Sequence, residues 1–204
     1  MSVHHALFHV IMYKKRGEKP MPSDEYLEKV TIGQVTTING TITLCEYDDN
    51  WKKLYLIEEN KIKTALSNQD IIIEHIGSTS IEGLCAKPIL DILLLVDDSS
   101  KEECYVPFLE KVGYTLKIRE EDWYKHRMFK GSNPEVNLHV FSKGCIEAKR
   151  MLDFRDWLRN NQEDREKYAQ EKQHLASKTW KYVQHYADAK SKVVNEIFKH
   201  IYKD

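Results

Sequence analysis

Residues 71–96 read IIIEHIGSTSIEGLCAKPILDILLLV, and the reading of that stretch decides the fold class. Residues 71–76 form a short apolar run, and residues 89–96 form a longer one interrupted by a single charge, Asp91. A run that apolar predicts a central strand covered on both faces. Between the two runs stands Gly77-Ser78-Thr79-Ser80. Its glycine lets the backbone come close to a phosphate, and the amides and hydroxyls that follow suit phosphate oxygens, although a plain structural turn explains the same residues. Asp91 is costly to bury unpaired, so a metal ion or a basic side chain such as Lys87 is expected beside it.

Working outward, Asn39-Gly40 lies between β-branched runs at 32–38 and 41–45, the pattern of a type I′ hairpin. Residues 14–29 are polar, carry Pro20 and Pro22, and read as a linker or surface loop. Asp48 or Asp49 caps an expected helix to about Leu66, with Trp51, Leu54, Tyr55, Ile62, Ala65 and Leu66 on its inner stripe. Glu58 falls on that stripe and is expected to escape to solvent, the alternative being burial with a partner. Downstream, Ser99 or Ser100 caps a helix to about Val112 with Tyr105, Phe108, Leu109 and Val112 facing in, and Gly113 ends it. Residues 114–119, 127–130 and 136–141 read as strands, with a turn at 131–134. From Ile146 onward the pattern is helical, with stops near Asn160-Asn161 and Ser177. This order of elements predicts an α+β fold: a mixed sheet flanked by helices, with a helical C-terminal third. Trp51, Leu54, Tyr55, Ile62, Ile92, Leu94, Phe108 and Leu152 are the expected core.

Among 204 residues, 41% hydrophobic content supplies a core, and 31 basic against 32 acidic residues argue against a general electrostatic grip on nucleic acid. Cys45, Cys85, Cys104 and Cys145 are too far apart for a C-x-x-C motif and read as free thiols of a reducing compartment. The apolar stretch 6–13 is broken by His9 and too short for a signal peptide or membrane anchor, so a cytoplasmic location is expected.

In Val136-Asn137-Leu138-His139-Val140-Phe141 the alternation puts Asn137, His139 and Phe141 on one face. His139 there suits a ligand or proton carrier, and equally a hydrogen-bonded structural group. Arg127, on the neighbouring strand after His126, suits an anionic ligand, Asp91, or a surface ion pair.

His75-Ile76-Gly77-Ser78-Thr79-Ser80, Gly83-Leu84 and Ala86-Lys87-Pro88-Ile89-Leu90-Asp91-Ile92 together resemble the signature of the GrpB family, within the nucleotidyltransferase-fold, DNA polymerase beta-like superfamily. Tyr47-Asp48, Trp51, Tyr55 and Glu58 resemble its opening helix. Gly113-Tyr114, Arg127 with Phe129, and Leu138-His139-Val140 resemble its middle. Phe154-Arg155-Asp156-Trp157-Leu158-Arg159, Tyr168 with Lys172, and Tyr186 with Lys190 resemble its helical end. The resemblance spans about residues 42–202. It sets residues 1–40, a linker and the start of the hairpin, apart from a domain over 41–204.

The resemblance implies that Gly77, Ser78, Thr79, Ser80 and Lys87 bind the triphosphate of a nucleotide. It implies Asp91, with Glu74 or His139, as ligands of a divalent metal, Mg²⁺ foremost, and Asp91, His139 and Arg127 as the catalytic set. Whether Glu74 or its neighbour His75 faces the cleft stays open at this stage. The chain departs from the superfamily pattern at Leu93, where a second carboxylate is usual, and has Asn137 where some relatives have histidine.

Three functions follow as expectations: nucleotidyl transfer from a nucleoside triphosphate to a small acceptor, a degenerate nucleotide-binding module, or an accessory protein. The last rests on the GrpB-like domains fused to dephospho-CoA kinases. The expected partner is a small nucleotide, with a protein partner open and neither membrane nor nucleic acid foreseen.

Overall fold

The computed structural model describes residues 23–203. The apolar stretch at 6–13 and the first part of the expected linker lie outside them. The chain runs α1 (Asp24–Val30), α2 (Asn50–Ala65), β1 (Ile72–Ile76), β2 (Leu90–Val96), α3 (Val106–Lys111), β3 (Thr115–Glu120), β4 (His126–Ser132), β5 (Glu135–Ser142), α4 (Ile146–Asn160), α5 (Gln162–Ala176), α6 (Val183–Ala189) and α7 (Ser191–Tyr202). The five strands form one mixed sheet in the order β1-β2-β5-β4-β3. The pair β2/β5 is parallel and the other pairs are antiparallel. This is the expected α+β architecture.

Strand β2 is buried at every position, as a run apolar but for Asp91 requires. Its residues alternate between two cores. Leu90, Ile92, Leu94 and Val96 meet Trp51, Ile62 and Leu66 of the α2 segment and Tyr105 and Leu109 around α3. Leu93 and Leu95 meet Met151, Phe154 and Leu158 of α4, Tyr168 of α5 and Ile197 of α7. Asp91 therefore faces the C-terminal helices, because strand side chains alternate with a period of two.

The expected hairpin at 32–45 is absent. Ile38 N–H and Gly40 N–H donate to Lys181 O and Trp180 O, and Ile42 N–H donates to Ala176 O. Asn39 does take a positive φ of 42°. The local turn signal was real, but the flanking runs pair with the α5–α6 connection, where Ile42 joins Leu175, Val183 and Tyr186 in a small core of their own. The linker reading of 14–29 also gives way over its last residues, since Ser23 caps α1 by accepting from Tyr26 N–H. Val30 then packs on Ile118 and Met128 at the β3 side of the sheet.

Ser99 does not cap a helix. Its N–H and hydroxyl meet Ser142 Oγ at 2.9 and 3.1 Å, which ties the β2 exit to the end of β5. The helix starts only at Val106, after a single 3-10 turn at Glu102–Cys104. With that phase Tyr105 and Leu109, four residues apart, point in. Phe108 is 42% exposed, contrary to its expected burial. Leu54, Tyr55 and Leu152 are half-buried, while Trp51, Ile62, Ile92 and Leu94 are buried.

Glu58 took the less expected course. It is 2% exposed, accepts from the Tyr114 hydroxyl, and pairs with Lys61 at 2.5 Å. A buried carboxylate held this way joins α2 to the start of β3. Glu58→Ala would leave the Tyr114 hydroxyl buried without its acceptor. Denaturant unfolding should show a loss of about 2 kcal/mol.

Candidate functional site

The site is built where β1 ends. Ile76 pairs with Asp91 across β1/β2, so the next residue, Gly77, passes directly over the Asp91 side chain. Gly77 sits at φ 68° and ψ −175°, a conformation open to glycine and closed to residues with a Cβ. A Cβ there would lie 2.5 Å from Asp91 Oδ2 and 2.8 Å from Asp91 Cβ. Backbone angle and close approach demand glycine independently.

The 3-10 turn Ser78–Ser80 follows. Two of its hydroxyls hold the turn itself: Thr79 Oγ1 lies 3.0 Å from His75 Nε2 and Ser80 Oγ donates to Gly77 O at 2.6 Å. Arg159 of α4 donates to Ser80 O from Nε and Nη2, at 3.1 and 2.9 Å. Thr79 and Ser80 thus shape the turn, while the Ser78 hydroxyl reaches Tyr168 of α5 on the Asp91 side.

Register settles the choice between Glu74 and His75. Glu74 pairs with Leu93 and shares its face, whereas His75 pairs with Ile92 on the other. His75 stacks on Tyr55 with ring centroids 4.7 Å apart, and burial pulls its pKa down to about 4, opposed by Asp91 and aided by Arg159 and Arg155. Glu74 faces the C-terminal helices beside Leu93, two residues along the strand from Asp91's partner. There its carboxylate is held by Arg155 Nη1 at 2.7 Å.

On the other flank, Asn137 stands opposite Asp91 in the parallel pair β2/β5. Its Nδ2 donates to Asp91 Oδ1 at 2.7 Å. His139 Nε2 lies 3.9 Å from the same oxygen. His139 Nδ1 is 3.1 Å from His126 Nε2, and His126 Nδ1 is 2.8 Å from Glu120 Oε2. The Glu120 carboxylate accepts from His126 Nδ1–H. His126 Nε2 then accepts from His139 Nδ1–H, which leaves the lone pair of His139 on Nε2, toward Asp91. Tyr26 of α1 donates to Glu120 at the far end of this chain of groups.

Arg127 is not brought to Asp91. It pairs with Val140 across β4/β5, so it lies on the opposite face of the sheet, where the strand period of two must place it. There it is buried, bonded to Glu102 and Glu121 and donating from Nη1 to His126 O at 3.1 Å.

Basic groups do gather at Asp91, from elsewhere. Lys87 precedes β2, Lys130 lies on β4, Lys172 on α5 and Lys190 at the end of α6, and the charge of Asp91 acts on each. Lys172 and Lys190 are 3% and 8% exposed, which puts their ammonium groups in a setting where an anion is strongly attracted. Burial lowers the pKa of Lys172 to about 7, with Lys190 repelling it. Burial lowers Lys130 and Lys190 to about 8, with Asp91 opposing the shift in both. Lys87 is also held well below the ordinary lysine range by burial and by Lys190. Lys172 Nζ donates to Cys85 O.

The helical geometry behind this is simple. Tyr168 and Lys172, and again Tyr186 and Lys190, are four residues apart and share a helix face. Each lysine lies over the ring of its own tyrosine, at 5.5 and 4.7 Å, and Lys87 lies 5.8 Å from the Tyr186 ring. Lys130, Lys172 and Lys190 were not among the sequence candidates. The repeated Tyr-x-x-x-Lys spacing is the signal that points to two of them.

The donor set does not fit the divalent-metal site that the resemblance implied. Asp91 is the one carboxylate at the centre, and one of its oxygens is occupied by the Asn137 amide. Leu93, at the position of the usual second carboxylate, is wholly buried in the apolar core, and Glu74 is committed to Arg155. Among the described residues no group of three or more His, Cys, Asp and Glu side chains stands together as a metal site.

Fold and site together define an α+β protein whose central-strand aspartate lies under a glycine-serine turn, with lysines near it from both the sheet and the helical third. The chain belongs to the GrpB family, whose profile, described as GrpB protein, matches residues 41–200. It is 58% identical to a UPF0157 protein of Halalkalibacterium halodurans, over 87% of this chain and 91% of that one. It is 40% identical to a UPF0157 protein of Streptomyces coelicolor, over 75% of this chain and 80% of that one. Among solved structures it is similar to the conserved protein GrpB of Enterococcus faecalis, with a TM-score of 0.61 and 29% identity, covering 79% of this chain and 95% of that one. A weaker likeness, with a TM-score of 0.43 and 12% identity over 70% of this chain and 50% of that one, is to the Cid1 poly(U) polymerase. No helix of the described residues is long and apolar enough to cross a membrane.

Two substitutions separate the faces of the sheet. Gly77→Ala should lower stability by about 2–4 kcal/mol and abolish anion binding, since either the turn or Asp91 must move. Arg127→Gln should also lower stability, because it removes the bonds of a buried guanidinium to Glu102, Glu121 and His126 O. The fraction still folded should bind anions as the parent does, as read by titration calorimetry below its melting point.

Proposed function

We propose that this protein binds the triphosphate of a nucleotide in the cleft over Asp91. One observation carries this reading: Lys87, Lys172 and Lys190 converge from three separate elements, over the Tyr168 and Tyr186 rings, beside a single central carboxylate and a glycine-serine turn. Mutually repelling, partly desolvated ammonium groups are destabilising in themselves, and a fold retains them where a ligand supplies the opposite charge. A phosphate chain is long enough to meet several of them and suits the Ser78 end of the turn. Calorimetric titration of the full chain with ATP, UTP and inorganic tripolyphosphate tests the reading directly. Lys172→Ala or Lys190→Ala should each weaken binding about tenfold or more, equivalent to about 1.4 kcal/mol.

Nucleotidyl transfer is a second reading, supported by the Glu120–His126–His139 chain, which sets His139 Nε2 3.9 Å from Asp91 Oδ1. There it suits removal of a proton from an acceptor hydroxyl as that oxygen attacks the α-phosphorus and pyrophosphate leaves. Release of pyrophosphate from labelled nucleotide, lost in His139→Ala with binding retained, is the expected result of this reading. Absence of turnover across a panel of small alcohols and amines sinks it.

Binding should depend on pH with a definite sign. Lys172, Lys130 and Lys190 give up their protons near pH 7 to 8 in the free protein, and an anion favours the protonated forms. Affinity should therefore be fullest below about pH 7 and fall as pH rises through 8. Below about pH 6 protonation of the terminal phosphate cuts it again. The same burial penalises the apoprotein at neutral pH. Lys190→Met should raise its melting temperature at pH 7 while weakening anion binding.

A further inference from the structure

We propose that the site takes its phosphate chain as the metal-free anion, with lysine ammonium groups neutralising the charge that a divalent cation would otherwise carry. This rests on the reading that the cleft binds phosphate. It departs from what the family resemblance implies, and the side chains at the centre of the sheet are the reason.

Paired cations need carboxylates that bridge or flank them. Here the second carboxylate position is Leu93, with no exposed surface and packed in the apolar core. Glu74, on the same face, is held by Arg155. Asn137 presents its Nδ2, a donor, to Asp91, so its buried and unpartnered Oδ1 is a single neutral oxygen and adds no negative charge for a cation. His139 adds one imidazole nitrogen 3.9 Å from Asp91 Oδ1. Against this thin set stand Lys87 and Lys190, both over the Tyr186 ring, and Lys172 over the Tyr168 ring.

The remaining polar neighbours do not reverse the balance. Glu135 acts on Lys130 and Asp188 on Lys190. Cys85 and Cys45 act on Lys172, and Tyr168 and Tyr186 are pushed further toward their neutral forms by burial. Among the described residues neither Lys87 nor Lys190 is in an ion pair with a carboxylate. The Tyr186 hydroxyl, on the ring that both lysines overlie, is buried with no hydrogen-bond partner. A polyphosphate oxygen satisfies such a group, whereas a hydrated magnesium ion meets a ring of like charge. Magnesium already bound to a nucleotide would also mask phosphate oxygens that the lysines need.

The full chain should be titrated with inorganic tripolyphosphate and with ATP at pH 7, once in EDTA and once in excess Mg²⁺. Binding in EDTA, weakened about tenfold or more by Mg²⁺, is the expected result. Lys172→Gln and Lys190→Gln should each lose the EDTA binding, with circular dichroism and melting confirming that they are folded. If Lys172→Gln does not fold, Lys190→Met, whose buried charge has no ion pair to lose, serves the same purpose. Binding that requires Mg²⁺ and vanishes in EDTA would overturn the metal-free inference while leaving the phosphate reading in place. No binding of either compound under either condition would overturn the phosphate reading itself.

Discussion

Everything around the cleft follows from one constraint, a carboxylate fixed in the middle of an otherwise apolar central strand. Asp91 is 8% exposed, and a charge so placed is tolerable only with opposite charge or donors close by. The structure answers in three ways. Gly77 removes the Cβ that would collide with it, Asn137 donates a hydrogen bond to it, and its charge offsets part of the burial penalty on Lys130 and Lys190. Carboxylate and lysines thus support one another.

Much of the fold was legible because its central elements are dictated by pattern alone. A run such as 89–96, apolar at every position but Asp91, has few places to go other than the middle of a sheet covered on both sides. Residues 136–141 alternate cleanly, and the helices after Ile146 end at the expected Asn160-Asn161 and Ser177. The failures share one cause. Asn39-Gly40 carried a genuine local turn signal, but the runs on either side found better partners in the α5–α6 connection. Ser99 had the chemistry of a cap, yet Ser142 lay close enough to take its hydrogen bonds. Phe108 then turned outward because the helix began later and in a different phase. Tertiary partners overrode local propensity in each case, and a single sequence does not show those partners.

The site was legible in its spine and not in its walls. The glycine-serine turn and Asp91 are adjacent through one strand pairing, so their meeting is implied once residues 71–76 and 89–96 are read as neighbouring strands. Arg127 was assigned to the cleft on residue type, although strand parity carries it to the opposite face: it pairs with Val140, not with His139. The lysines come from segments far apart in sequence, and nothing local distinguishes Lys130 or Lys172 from any solvated lysine. The exception is the Tyr-x-x-x-Lys spacing shared by 168–172 and 186–190, which sets each ammonium group over an aromatic ring on one helix face. Glu120 and His126, which orient His139, are likewise visible only in three dimensions.

The measurement that bears most directly on the central claim is a crystal structure of the full chain grown in EDTA with a non-hydrolysable nucleoside triphosphate. The account requires the phosphate chain to lie over Asp91, with its oxygens within hydrogen-bonding distance of Lys172 Nζ, Lys190 Nζ and the Ser78 end of the turn. A nucleotide seated elsewhere, or a cleft that admits the triphosphate only when a metal ion rests on Asp91, would contradict it.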